Sequence, residues 1–200
     1  MSQTEFFVPS RTSQLFARAI VPNAPRTTNG RIVMFVLSHG LLDNIDAPMF
    51  RHIQQTLCTL SIASVAFDFH GNGRSTGTTS YGNYHDEADD IANLVQYLHS
   101  YWISMSDMAE RAGTDMGVVQ MLPLHRTFVL NIMGSKDQIV PDDDVWEYDR
   151  LMRMAAPHAD RVVTRIVPGA KHFWNNQREL EALDRSLVRW LTTVLPKIGL

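Results

Sequence analysis

The chain has little cysteine, little clustered charge and no long apolar run, and each shortage removes a class of protein. Its one cysteine, Cys58, excludes an intramolecular disulfide and reads as a small buried residue in a helix. That usage fits a reducing compartment, so a cytoplasmic location is expected. The 18 basic and 21 acidic residues are scattered and leave a net charge of −3. Neither nucleic acid nor an anionic membrane surface finds a basic patch here. No apolar stretch approaches the roughly 20 residues of a membrane span. The opening MSQTEFFVPS has neither a basic start nor a long apolar core, so it does not read as a secretory signal. Repeats, heptads and low-complexity tracts are missing too.

What is there is core-forming material. With 200 residues and 44% hydrophobic content, the chain can bury one substantial core, so residues 1–200 are expected to form one domain. Residues 31–77 organise it. The runs 32–37 and 62–69 are short, rich in β-branched and aromatic residues, and bounded by glycine-containing turns. Such runs suit strands buried on both faces. Between them Asp46 is expected to cap a helix with Pro48 in its first turn, and Met49, Phe50, Ile53, Leu57 and Leu60 share one face. The unit is strand, helix, strand, a right-handed crossover. Both strands end in His-Gly, His39-Gly40 and His70-Gly71, at the carboxyl ends where ligands bind in such folds.

The rest follows in order. Residues 5–9 and 14–21 read as two early strands, and 22–30 as a loop into the organising unit. A helix starts near His85; Asp86, Glu87, Asp89 and Asp90 crowd its first turns and read as a solvated, dipole-matched start rather than a metal site. Residues 100–122 read as two short helical pieces split by Gly113-Thr114. Residues 127–133 and 162–167 read as further buried strands, with a helix capped by Asp142 between them. A last helix from about Arg178 buries Leu180, Leu183, Leu187, Trp190, Leu191 and Val194.

Four stretches carry a family resemblance: SHGLLDN, FDFHGNGRSTG, VLNIMGSKDQIVP and IVPGAKHFWNN. Together they resemble the α/β-hydrolase fold, in its esterase, lipase and serine-aminopeptidase-like branch, over most of residues 12–99 and 104–195. The resemblance implies an α/β fold with a mainly parallel, doubly wound sheet. It also implies acyl or carboxylic-ester hydrolysis on a small apolar ligand, with no cofactor and no metal. Residue by residue, it implies Asp137 as the orienting acid, His172 as the general base and Leu41 as a donor of an oxyanion N–H. Acid before histidine is also that family's chain order.

The nucleophile breaks the pattern. The family sets its serine in Gly-x-Ser-x-Gly, on a sharp turn between strand and helix, after the helix that here covers residues 85–100. Here the chain passes directly from Leu98-His99-Ser100 into Tyr101-Trp102-Ile103 and then 104–122, which resembles the end of a cap. The expected divisions are therefore 1–30 as N-terminal strands and loop, 31–99 and 123–200 as core, and 100–122 as cap remnant. The missing strand–helix unit amounts to about 30 residues or more. The one Gly-x-Ser-x-Gly present, residues 73–77, centres on Ser75 six residues past Phe69 and runs into the polar loop 78–84. It lacks the elbow's context and reads as a decoy. With the central strand gone, residues 127–133 are expected to take the vacant place beside 32–37. The function implied is an acyl hydrolase by descent, impaired for want of its serine. A non-catalytic ligand- or partner-binding protein, or a truncated or mis-spliced product, stands as the alternative. Oligomeric state stays open.

Overall fold

Short apolar runs become strands and 3.6-residue stripes become helices. The first half contains β1 (Ser2–Ser10), β2 (Ser13–Val21), β3 (Thr27–Thr28), β4 (Arg31–Ile32), β5 (Met34–Ser38), α1 (Pro48–Thr59) and β6 (Ala63–Phe67). The second contains α2 (Tyr84–Ile103), β7 (Val129–Gly134), α3 (Asp142–Ala155), β8 (Val162–Val167) and α4 (Gln177–Val194). The computed structural model describes residues 1–11, 13–28, 31–40, 43–80, 84–103, 128–140, 142–155 and 159–199. Residues 100–103 are the last turn of α2; the rest of the expected cap remnant lies outside the described residues.

The main sheet is mixed, in the order β1-β2-β6-β5. The tightly connected β1 and β2 pair antiparallel, β2 meets β6 antiparallel, and β5 and β6, joined through α1, run parallel. A second parallel pair, β7 and β8, is connected through α3 and runs in register from Val129 opposite Val162 to Gly134 opposite Val167. Alternation along β5 explains how both faces are covered. Phe35 and Leu37 pack toward the α1 and α4 cluster of Leu57, Leu187 and Trp190, while Met34 and Val36 pack toward Leu94 and Leu98 of α2. No described helix is long and apolar enough to cross a membrane.

Four local expectations need correction. Residues 127–133 do not fill the place beside 32–37. Instead β7 pairs with β8, and β5 and β7 stand more than 8 Å apart along most of their length. Leu130 and Ile132 of β7 and Phe35 and Leu37 of β5 pack against one core cluster, which includes Leu183, Leu187, Trp190 and Leu191 of α4. The α3 connection carries the chain from β7 to a parallel neighbour, β8, and that pairing satisfies one edge of β7 over its whole length. Asp46 does not cap α1: Ala47 is the N-cap and supplies no side-chain bond, whereas Asp46 pairs with Arg18 at 2.5 Å and Arg74 at 3.1 Å. Arg18 and Arg74 each bring a full positive charge to the Asp46 carboxylate, where a helix N-terminus offers only about half of one. Asp142 is the first helical residue rather than the cap of α3. Asp90 is no solvated helix-start charge. It is buried, accepts from Nδ1 of His70 at 2.6 Å and from Oγ of Ser10 at 3.0 Å, and so ties α2 to the end of β6.

Candidate active site

Two loops at the carboxyl ends of β7 and β8 interlock. Ser135 N–H donates to the Val167 carbonyl and Lys136 N–H to that of Ala170, both at 2.9 Å. Gly169 N–H donates in return to Oγ of Ser135 at 2.8 Å. Gly134 is required by closeness: a Cβ there would lie 2.3 Å from the Ala170 carbonyl oxygen. These contacts place Asp137 and His172 together. Oδ2 of Asp137 lies 2.9 Å from Nδ1 of His172, and both side chains are about 95% buried. Oδ1 accepts the N–H groups of Ile139 at 2.9 Å and Val140 at 3.0 Å, which locks the carboxylate.

The tautomer follows from chemistry. A carboxylate only accepts, so Nδ1 of His172 carries the hydrogen in this bond. That is the arrangement of a general base oriented by an acid. The histidine loop is held from behind by Glu179, whose Oε1 accepts Lys171 N–H at 3.1 Å while its own N–H is capped by Asn176 at 3.0 Å. Buried Trp174 bends the chain into α4 with φ +43°, a conformation that bulky residues adopt only under constraint.

The third wall is the turn after β5. A Cβ on Gly40 would lie 3.7 Å from Cε1 of His172, so the imidazole packs on this turn. His39 latches it: Nδ1–H donates to the Gly40 carbonyl at 2.7 Å, and Nε2 accepts Phe69 N–H at 3.0 Å. Both ring nitrogens are thus committed with the ring neutral, and burial holds its pKa below the ordinary value. Leu41, expected to supply an oxyanion N–H, lies outside the described residues.

Ser75 is held elsewhere. Its hydroxyl donates to the Asp68 carbonyl at 2.6 Å and accepts Phe16 N–H at 2.8 Å. Buried Asp68 completes the clip, accepting Ile45 N–H on one oxygen and Arg74 N–H on the other. Gly73, at φ +52°, has the Asp68 carboxylate where a Cβ would stand. The Gly-x-Ser-x-Gly stretch therefore staples β2 to the turn after β6.

Sequence reasoning missed His39, Glu179 and Asp90 as supports. The spacing Asn176-x-x-Glu179 was visible as a capping box, but Glu179 uses its carboxylate on Lys171 instead. The other two became legible only once distant turns were brought together.

No protein-family model matches the chain. Solved structures do. An alpha-beta serine hydrolase homologue from Coxiella burnetii is 19% identical with a TM-score of 0.62, over 96% of this chain and 98% of that one. XC6422 from Xanthomonas campestris, an α/β serine hydrolase without lid, is 16% identical with a TM-score of 0.61, over 96% and 94%. Est1E from Butyrivibrio proteoclasticus, solved with ferulic acid bound, is 12% identical with a TM-score of 0.61, over 94% and 98%. At these identities the likeness speaks to fold. The chain has the α/β-hydrolase fold in a shortened form.

Proposed function

We propose that this chain is an acyl or carboxylic-ester hydrolase by descent that retains the acid–base pair and has lost the serine that pair would activate. The observation that carries the reading is the Asp137–His172 bond, with Oδ1 of the acid locked on two backbone N–H groups. A carboxylate pinned in that way is placed to orient an imidazole, which supports the reading. The sequence holds one Gly-x-Ser-x-Gly, and its Ser75 hydroxyl is spent on backbone partners. On this reading acyl-enzyme chemistry lacks its nucleophile. What remains to the site is general-base activation of water, which contributes about 10²–10⁴-fold rather than the full enhancement of a triad.

The ligand we propose is a small apolar acyl or ester compound, held near Asp137 and His172, in a cytoplasmic protein. Support for an apolar ligand comes from Phe173, which is half exposed and stands edge-on to His172 at 4.8 Å between centroids. The same aromatic favours the second reading, a non-catalytic ligand-binding protein. Hydrolysis of p-nitrophenyl acetate separates the two. A slow turnover that falls tenfold or more in His172→Ala supports the first; a rate equal to that of the variant supports the second.

A further inference from the structure

A cavity of about 650 Å³ lies between α1 and the β1–β2 hairpin, away from the acid–base pair. That volume is in the range of small-molecule sites. None of its lining residues belongs to the loops that carry Asp137 and His172. Eight of the ten are polar or charged, so the cavity suits a polar ligand rather than an apolar acyl chain.

Three guanidinium groups meet two carboxylates in that lining. Arg18 is buried and committed: Nε donates to Glu5 at 3.1 Å, Nη2 to Asp46 at 2.5 Å and Nη1 to the Ile45 carbonyl at 3.4 Å. Arg74 closes over the same two acids, 3.3 Å from Glu5 and 3.1 Å from Asp46, with its guanidinium 3.7 Å above the Phe16 ring. Hydrogen bonds from Arg18 hold both carboxyls below their ordinary pKa, so they are ionised at neutral pH and balance Arg18 and Arg74. Arg51 is then the surplus cation. Its side chain is 66% exposed and reaches Asp46 only at 3.5 Å. α1 begins at the same rim with no side-chain cap, which adds about half a positive charge.

Gln54 stands one helical turn beyond Arg51 and is fully buried in the cavity floor. Its Nε2 donates to the Arg18 carbonyl at 3.2 Å, which fixes the direction of the amide. Oε1 accepts no hydrogen bond from the described residues. A buried carbonyl of this kind calls for a donor.

We propose that this cavity binds a small monoanion that also carries hydroxyl groups, a sugar acid or another hydroxycarboxylate. The carboxylate pairs with Arg51, whose planar fork matches two oxygens, and a hydroxyl donates to Oε1 of Gln54. One surplus charge selects a monoanion, and the polar walls and the orphaned carbonyl select hydroxyls over methylenes. The proposal is independent of the acid–base reading, because it needs neither Asp137 nor His172.

The test is calorimetric titration of the full chain at low salt with sodium gluconate. Gluconate should saturate one site with a Kd below about 1 mM. Hexanoate, with the same number of carbons and no hydroxyls, should bind at least tenfold more weakly. Arg51→Ala, a change at an exposed side chain, should melt as the parent does and lose tenfold or more in gluconate affinity. Gln54→Met should bring gluconate down to the level of hexanoate; if that variant unfolds, the comparison of the two ligands on the parent chain reports the same contact. His172→Ala should bind gluconate as the parent does. No binding up to about 10 mM, equal binding of hexanoate, or affinity that survives Arg51→Ala would overturn the proposal. So would loss of binding in His172→Ala, which would place the ligand at the acid–base pair. Equal competition by sulfate would also overturn it, as the mark of an adventitious ion only.

Discussion

Oδ2 of Asp137 lies 2.9 Å from Nδ1 of His172 while Oδ1 of the same carboxylate takes the N–H groups of Ile139 and Val140. One side chain therefore shapes its own loop and orients a base on another. Asp137→Ala should strand two backbone donors and the imidazole N–H at once. Charge-assisted bonds are worth about 1.5–3 kcal/mol each, so a loss of several kcal/mol is expected in urea denaturation. Asp137→Asn keeps an acceptor for the loop and should cost less, while the His172 ring nitrogens shift in ¹⁵N spectra as the carboxylate partner is lost.

The interlock of the two loops can be tested through glycine. Gly134→Ala puts a methyl group against the Ala170 carbonyl, 2.3 Å from its oxygen, and only backbone movement relieves it. Gly169→Ala meets nothing within 4 Å and carries only the strain of φ +78°. The second should cost about 1–2 kcal/mol, the usual penalty of a left-handed L-residue. The first should cost more and also weaken the Asp137–His172 bond. Thermal melts together with the His172 ring signals check both.

Ser75→Ala separates staple from nucleophile. It leaves Phe16 N–H and the Asp68 carbonyl without their partner, a loss of about 1–3 kcal/mol for a part-buried site. Any ester hydrolysis by the folded chain should be unchanged. A variant that melts normally but hydrolyses p-nitrophenyl acetate more slowly would reassign Ser75.

His39 makes stability depend on pH. Its folded pKa lies below the ordinary 6.5 because burial disfavours the cation. Between those two values the unfolded chain binds a proton that the folded chain refuses, so stability rises with pH in that window. It should be complete above about pH 6.5 and decline as the pH falls below it. His39→Asn should flatten that decline in denaturation measured from pH 7.5 to 5, after allowing for its own lost latch to Gly40 and Phe69.

Much of this was legible in the chain. Residues 162–167 formed a strand with the bounds expected, since Val162-Val163 and Ile166-Val167 bracket it and turn residues flank it. Leu183, Leu187, Trp190, Leu191 and Val194 were buried as their spacing required. Asp137 and His172 were found through the loops that carry them, and they bond. What failed was long-range competition. Asp46 served the buried Arg18 instead of its own helix, and Asp90 turned inward to His70. Arg18 is 28 residues from Asp46 and His70 is 20 residues from Asp90, so helical periodicity carried no trace of either pair. The place of β7 failed for a different reason. Pairing preference says that an edge seeks a strand, and β7 found its partner in β8, across the α3 connection, rather than in β5.

The central proposal is that the Asp137–His172 pair has lost the serine it would activate, and intact-mass spectrometry after treatment with a fluorophosphonate tests it most directly. Such probes react with a hydroxyl deprotonated by a neighbouring imidazole in a formed oxyanion hole. We expect the mass of the chain to stay unchanged under conditions that label an active serine hydrolase to completion. Stoichiometric labelling at one serine, lost in His172→Ala, would contradict the account and show a working triad.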